Sequence, residues 1–105
     1  MSIDDRNIVN IRDLILNRLP NAKIKLFGSR ATGSNVATSD YDILIISPTY
    51  LSVSDIKNVK SILRKELARL FIPIDIILIN ENDIKVKALL TNHIVNEALQ
   101  YGIEL

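Results

Sequence analysis

Three aspartates stand at positions where the surrounding sequence is apolar. Asp40 and Asp42 lie one residue apart at the start of one apolar run, and Asp75 lies inside another, residues 72–79. A carboxylate among isoleucines and leucines is costly unless it is paired or binds a cation. The simplest common explanation is a divalent metal site that faces a phosphate group.

The spacing of the first two aspartates suits a shared ligand. Alternate residues of a strand point to the same face, so the carboxylates of Asp40 and Asp42 would lie together while Tyr41 points away. Two carboxylates this close repel each other unless a cation lies between them. Oxygen ligands favour Mg²⁺ or Mn²⁺ over zinc. The alternative is ordinary turn chemistry, since Ser39 and Asp40 are common turn residues.

Asp75 favours the metal interpretation over the turn. All its neighbours from residue 74 to residue 79 are isoleucine or leucine, where a surface aspartate would be poorly placed. If its strand lies beside the strand of Asp42, three carboxylates could bind two metal ions about 3.5–4 Å apart. A buried Asp75 held by an arginine or by a helix N-terminus is the alternative.

Residues 27–34 are a candidate phosphate-binding segment. Gly28 allows the backbone to approach a ligand closely, and the amides of Ser29 and Arg30 would suit an anion, all the more if they open a short helix. The Ser29 hydroxyl and the Arg30 guanidinium would add a donor and a positive charge. A plain turn at Gly28 and Ser29 is the alternative.

A P-loop is excluded. Gly28 and Gly33 have the spacing of that motif, but Ser34 and Asn35 stand where it requires lysine and a hydroxyl residue.

The hydrophobic pattern predicts the elements that must position these residues. Their order is helix, strand, loop, strand, helix, strand, helix, which favours a two-layer α/β (α+β) domain, a small mixed sheet of three or four strands covered by helices. The continuous apolar character of the third strand predicts burial on both faces. The predicted elements are helices at 5–18 and 84–101, a helix with a Ser52/Asp55 capping box, and strands at 24–27, 42–46 and 74–79.

Composition narrows the class of protein. The 105 residues, 48% hydrophobic and 24% charged, predict a single domain over residues 1–105. A net charge of +1 gives no broad basic surface, so direct nucleic-acid binding is not expected. The absence of cysteine excludes disulfides and thiolate metal sites. No signal peptide or membrane-spanning run is recognisable, so we expect a cytoplasmic protein with no membrane association.

The motif resembles that of a known superfamily. Gly28 and Ser29, ten intervening residues, then Asp40 and Asp42, with Asp75 in a later strand, resemble the nucleotidyltransferase superfamily of DNA polymerase β. The sequence is most similar to the minimal nucleotidyltransferases (MNT), whose Gly-Ser-Arg-Ala-x-Gly and Ser-Asp-x-Asp segments are matched within residues 28–42. The resemblance covers nearly the whole chain in element order and implies the polymerase β-type fold.

The resemblance also implies roles for these residues. Asp40 and Asp42 would bind two Mg²⁺ ions, and Asp75 would bind the catalytic ion and help deprotonate the attacking hydroxyl. Phosphoryl transfer needs in-line positioning and neutralised charge more than covalent help from the protein.

A second implied role concerns the nucleotide. Gly28 and Ser29 would hold the β and γ phosphates of ATP, with Arg30 as a further phosphate contact.

Minimal members of this superfamily are typically antitoxins of HEPN-domain ribonuclease toxins, and some transfer AMP from ATP to a toxin tyrosine. The resemblance implies the same function and partner here. Because the chain is too short for domains that hold the base and the acceptor, we expect a homodimer or a hetero-oligomer to complete the site. The alternatives are a noncatalytic antitoxin that neutralises its partner by contact, and nucleotidyl transfer to a small molecule.

Overall fold

A sheet of four strands lies at the centre of the molecule. The computed structural model describes residues 5–84 and 93–105. The elements in chain order are α1 (Arg6–Arg18), β1 (Lys23–Phe27), α2 (Ser29–Thr32), β2 (Tyr41–Ser47), α3 (Val53–Arg69), β3 (Ile74–Asn80), a 3₁₀ helix (Glu81–Asp83), α4 (His93–Tyr101) and β4 (Ile103–Glu104).

The strands are in the order β3-β2-β1-β4. β1 is antiparallel to β2 and to β4, whereas β2 and β3 are parallel, so the predicted mixed sheet is confirmed. The register of β2 and β3 places Asp42 directly beside Asp75, and that of β1 and β2 places Phe27 beside Asp42. β4 was not predicted as a separate strand, because two residues are too few to show a period.

The helix starts follow local capping rules. Asp5 caps α1, and its carboxylate accepts a 2.9 Å hydrogen bond from the Asn7 N–H. The predicted capping box of α3 is confirmed, since the Ser52 hydroxyl accepts from the Asp55 N–H and the Asp55 carboxylate accepts from the Ser52 N–H. These caps fix the entry points of the two long helices that cover one face of the sheet.

Strand alternation divides the apolar side chains into two cores. One core joins the sheet to α1 and α3, and the other joins the opposite face to α4. Tyr41, Ile43 and Ile45 of β2 belong to the first, and Leu44 and Ile46 belong to the second. Asp42 shares the parity of the second set, so its side chain lies on the α4 face of the sheet.

The expectation that β3 is buried on both faces is wrong for its first residues. Ile76, Leu78 and Ile79 are buried, but Ile74 is only half-buried and Asp75 is exposed. β3 is an edge strand, and its N-terminal end therefore remains open to solvent.

The last predicted helix, residues 84–101, is described only in part. The structure gives α4 from His93, and residues 85–92 lie outside the described residues. Gly102 follows the helix as predicted, and its N–H donates to the Ala98 carbonyl at 2.9 Å. Within residues 5–84 and 93–105, no helix is both long and apolar enough to cross a membrane.

The end of α3 is unusual. The Phe71 N–H donates to the Ala68 carbonyl and the Ile72 N–H to the Leu67 carbonyl, both at 3.0 Å, which is the Schellman pattern. Phe71 has a φ of 57° at the position that normally favours glycine, and its side chain is 91% exposed. A bulky residue in this conformation is strained and gains almost no burial in return.

We expect Phe71→Gly to stabilise the protein by about 0.5–1 kcal/mol, since glycine adopts a positive φ without strain and little buried area is lost. Urea unfolding followed by circular dichroism measures the change. Phe71→Ala is the matched control, because it removes the ring and keeps the strained backbone. A gain of equal size in Phe71→Ala would contradict the backbone explanation.

Candidate active site

The turn between β1 and α2 brings backbone against a carboxylate. Gly28 has a φ of 72° and a ψ of −157°, a conformation available to glycine and costly for other residues. A Cβ at this position would overlap Oδ2 of Asp42. Both the backbone angle and the lack of space therefore require glycine, and its absence of a side chain lets Asp42 lie against the turn.

The short helix expected after Gly28 is present. Ser29 and Arg30 are the first two residues of α2, so their N–H groups have no acceptor within the helix. The N–H groups of Ala31 and Thr32 donate back to the Gly28 carbonyl at 3.1 and 3.3 Å. The segment therefore presents two amide donors beside the Asp42 carboxylate, an arrangement suited to a phosphate bound next to a cation.

Asp42 lies within electrostatic range of three other carboxylates. Burial raises the pKa of Asp42, and the neighbouring charges of Asp75, Asp40 and Glu97 raise it further. Within residues 5–84 and 93–105, the salt bridges are Arg12–Asp13 and Arg18–Glu66, and neither includes a carboxylate of this group. The site is a concentration of negative charge that a bound divalent cation would relieve.

Glu97 was missed in the sequence. It lies on α4, where Val95 and Ala98 pack against the face of the sheet that carries Asp42. A single glutamate on an amphipathic helix has no local signal that sets it apart, and only the docking of α4 brings it near the aspartates.

The three aspartates are less buried than the sequence predicts. Asp75 and Asp40 are exposed and Asp42 is half-buried, so the group is not a set of buried carboxylates. Among the described residues, no three histidine, cysteine, aspartate or glutamate side chains are already gathered closely enough to hold a metal ion. Exposed side chains change rotamer rapidly. Asp40 and Asp75 can therefore turn toward a cation beside Asp42 without disturbing the core.

The donor set fits a hard divalent cation. The three aspartates offer oxygen atoms only, and burial together with the neighbouring negative charges raises the pKa of Asp42. Mg²⁺ keeps several of its water ligands and needs only a few protein carboxylates, which suits a site at the open end of a sheet.

Arg30 has contacts other than the predicted phosphate. Its Nε donates to the Ser39 carbonyl at 2.9 Å and its Nη2 to the Ala37 carbonyl at 3.2 Å. The guanidinium carbon lies 4.0 Å from the centroid of the Tyr41 ring. Arg30 thus connects α2 to the residues that precede and follow Asp40, while its contact with phosphate stays a prediction.

The chain is similar to one protein family and to two solved structures. The sequence profile of the family "Polymerase beta, Nucleotidyltransferase" matches residues 10–98. A crystal structure from Sulfolobus solfataricus, described as a "putative nucleotidyltransferase", is 26% identical, with a TM-score of 0.55 over 77% of this chain and 70% of that one. A second structure with the same description is 21% identical, with a TM-score of 0.49 over 77% and 86% of the two chains. No curated protein sequence matches significantly.

We expect Asp42→Asn to stabilise the metal-free protein at pH 7, by at most about 1 kcal/mol because the site is partly exposed. A raised pKa means that the folded state binds the proton more tightly than the unfolded state, so stability falls as pH rises through the folded pKa. The gain in stability should disappear below about pH 4, where Asp42 becomes protonated in both the folded and the unfolded state. Urea unfolding with EDTA at several pH values measures it.

The matched control is Asp13→Asn, on the exposed face of α1. It should show no gain of this kind at pH 7. If Asp42→Asn instead lowers the free energy of unfolding at pH 7 in EDTA, the cluster of negative charges does not destabilise the folded protein.

Gly28→Ala should destabilise the protein by about 1–3 kcal/mol, because the added Cβ meets Asp42 and the backbone angle becomes strained. Gly33→Ala is the comparison, since Gly33 has a φ of 80° but open space around its Cβ position. Thermal unfolding measures both losses, and the larger loss expected at Gly28 combines the contact with a ψ of −157° that is more restricted than the left-handed conformation of Gly33. Equal losses in both variants would mean that the contact with Asp42 contributes nothing beyond backbone strain.

Proposed function

The chain belongs to the polymerase β nucleotidyltransferase family, and on that premise we propose that it transfers AMP from ATP to a hydroxyl group of a partner protein. The proposal rests on the proximity of three groups at one end of the sheet, which are the carboxylates of Asp42 and Asp75 and the backbone of Gly28. Asp42 lies beside Asp75 in the register of β2 and β3, and the Gly28 backbone lies against the Asp42 carboxylate. Carboxylates for metal ions and amides for phosphate are thereby adjacent.

Asp40, Asp42 and Asp75 are the residues that would hold two Mg²⁺ ions. Bound there, the ions would neutralise charge on the triphosphate and make the attacking hydroxyl more acidic. Asp42 is the fixed member of the set, because it is half-buried against the Gly28 turn. Asp40 and Asp75 are exposed and complete the set from the solvent side.

The remaining chemistry falls to the chain's own donors and acceptors. The amides of Ser29 and Arg30 would bind the β and γ phosphates and orient the leaving group. The acceptor oxygen forms a bond to the α phosphorus, the bond from the α phosphorus to the bridging oxygen breaks, and pyrophosphate leaves. A carboxylate oxygen of Asp75 takes the proton of the acceptor hydroxyl and returns it to solvent.

The acceptor we propose is a tyrosine of a HEPN-domain ribonuclease toxin, so that the chain acts as an antitoxin. The support is the resemblance to minimal nucleotidyltransferases, together with the exposure of Asp40 and Asp75, which leaves the site open to a large acceptor. The partner, or a second copy of the chain, would supply the missing wall of the site. With ATP as the donor, the cytoplasm is the compartment in which we propose that the protein acts.

The test is transfer of label from α-labelled ATP, with Mg²⁺, in a lysate of the source cell. We expect wild-type protein to label one small protein on tyrosine, and Asp40→Asn/Asp42→Asn to lower the rate at least about a hundredfold, which is about 2.7 kcal/mol of transition-state stabilisation. Mass spectrometry of the labelled band identifies the partner and the modified residue.

Asp13→Asn is the control for general effects on the chain and should label at the wild-type rate. Metal-dependent ATP binding without any transfer would overturn the proposal in favour of a noncatalytic binding module. Label on a small molecule instead of a protein would keep the reaction class and overturn the acceptor.

A further inference from the structure

The guanidinium of Arg30 is committed to main-chain and ring contacts on both sides of Asp40. It donates to the carbonyls of Ala37 and Ser39 and stacks on the ring of Tyr41. Two of these contacts precede Asp40 in the chain and one follows it. Arg30 of α2 therefore holds in place the chain segment that contains Asp40.

Burial and hydrogen bonds hold Tyr41 in place beneath the Arg30 guanidinium. The residue is 2% exposed, its hydroxyl donates to Asp5 Oδ2 at 2.8 Å, and its N–H donates to the Pro73 carbonyl at 2.9 Å. Asn7 Nδ2 donates to the same hydroxyl at 3.3 Å. Burial and the Asp5 carboxylate raise the pKa of Tyr41, so the phenol stays a protonated donor. The ring cannot move aside if Arg30 is lost.

The segment that Arg30 holds has little support of its own. Val36, Ala37 and Thr38 are exposed, and Val36 is 64% exposed. The turn is closed by the Ser39 N–H, which donates to the Val36 carbonyl at 3.0 Å, and by the Val36 N–H, which donates to the Ser39 hydroxyl at 2.9 Å. These bonds shape the turn but do not attach it to the rest of the protein.

We propose that Arg30 is a positioning residue that attaches the 36–39 turn to α2 and thereby holds Asp40 beside Asp42 for metal binding. The structural part of this inference stands on the contacts above, and its consequence for metal binding rests on the proposed function. The short helix α2 then contributes both to phosphate binding and to metal binding in the proposed site. Its first amides would bind phosphate, and its arginine would set the position of a metal ligand.

The role demands arginine in particular. A planar guanidinium can donate to two carbonyl groups and stack on a ring at the same time. A lysine ammonium is a compact point charge and cannot make all three contacts. A direct phosphate contact would be partly preserved by lysine, because phosphate is bound well by a point charge. Arg30→Lys therefore separates positioning from phosphate binding.

The first measurement is amide hydrogen exchange by NMR on the full chain, wild type and Arg30→Lys. We expect exchange at the Val36 and Ser39 amides to become at least about tenfold faster in the variant, because these bonds would open locally. Rates are read relative to the Leu63 and Leu67 amides of α3, which report any general loss of stability. Arg64→Lys, an exposed change of the same type on α3, should leave both sets unchanged.

The second measurement is binding by calorimetry, with Mn²⁺ alone and with tripolyphosphate in EDTA as probes. Positioning predicts at least about a threefold weaker Mn²⁺ affinity in Arg30→Lys, with tripolyphosphate affinity unchanged. Unchanged exchange at Val36 and Ser39, or a loss confined to tripolyphosphate, would overturn the proposal. Failure of wild-type protein to bind Mn²⁺ would count against the proposed function, and the exchange result would still decide whether Arg30 holds the turn.

Discussion

The contact between the Gly28 backbone and the Asp42 carboxylate is the constraint on which the site depends. It can form because β1 and β2 are antiparallel and paired so that Phe27 lies beside Asp42. The residue after Phe27 must then pass directly over the Asp42 side chain, where a Cβ has no room. The glycine is therefore required by the sheet register first, and its position beside a phosphate segment follows from that register.

The parallel pairing of β2 and β3 adds the second condition. It puts Asp75 level with Asp42, so two like charges occupy neighbouring positions on one face of the sheet. Burial raises the pKa of Asp42, and repulsion between the members of this pair raises it further, so the pair opposes folding. Functional sites commonly hold like charges together at some cost to stability, and this supports the proposal that the cluster binds a cation.

Arg30 and Tyr41 connect this site to the rest of the domain. Tyr41 points to the core beneath α1 and α3 while Asp42 points to the opposite face, because they alternate along one strand. Through the Tyr41 hydroxyl, the cap residue of α1 is bonded to the strand that carries the acids. Contacts on the face that packs against α1 and α3 thus hold the strand, and the proposed site lies on the opposite face.

Local pattern in the sequence determined most of the elements and singled out the candidate site residues. Helical periodicity, the Ser52/Asp55 cap and the apolar runs predict three long helices and three strands, since each depends on neighbours within a few residues. Asp40, Asp42 and Asp75 stand out as charged residues in or beside these runs. Only tertiary structure decided what required distant pairing. The exposure of Asp75 follows from the edge position of β3, the approach of Glu97 from the docking of α4, and the contacts of Arg30 from a turn closed across nine residues. These depend on register and packing between segments far apart in the chain, which periodicity does not encode.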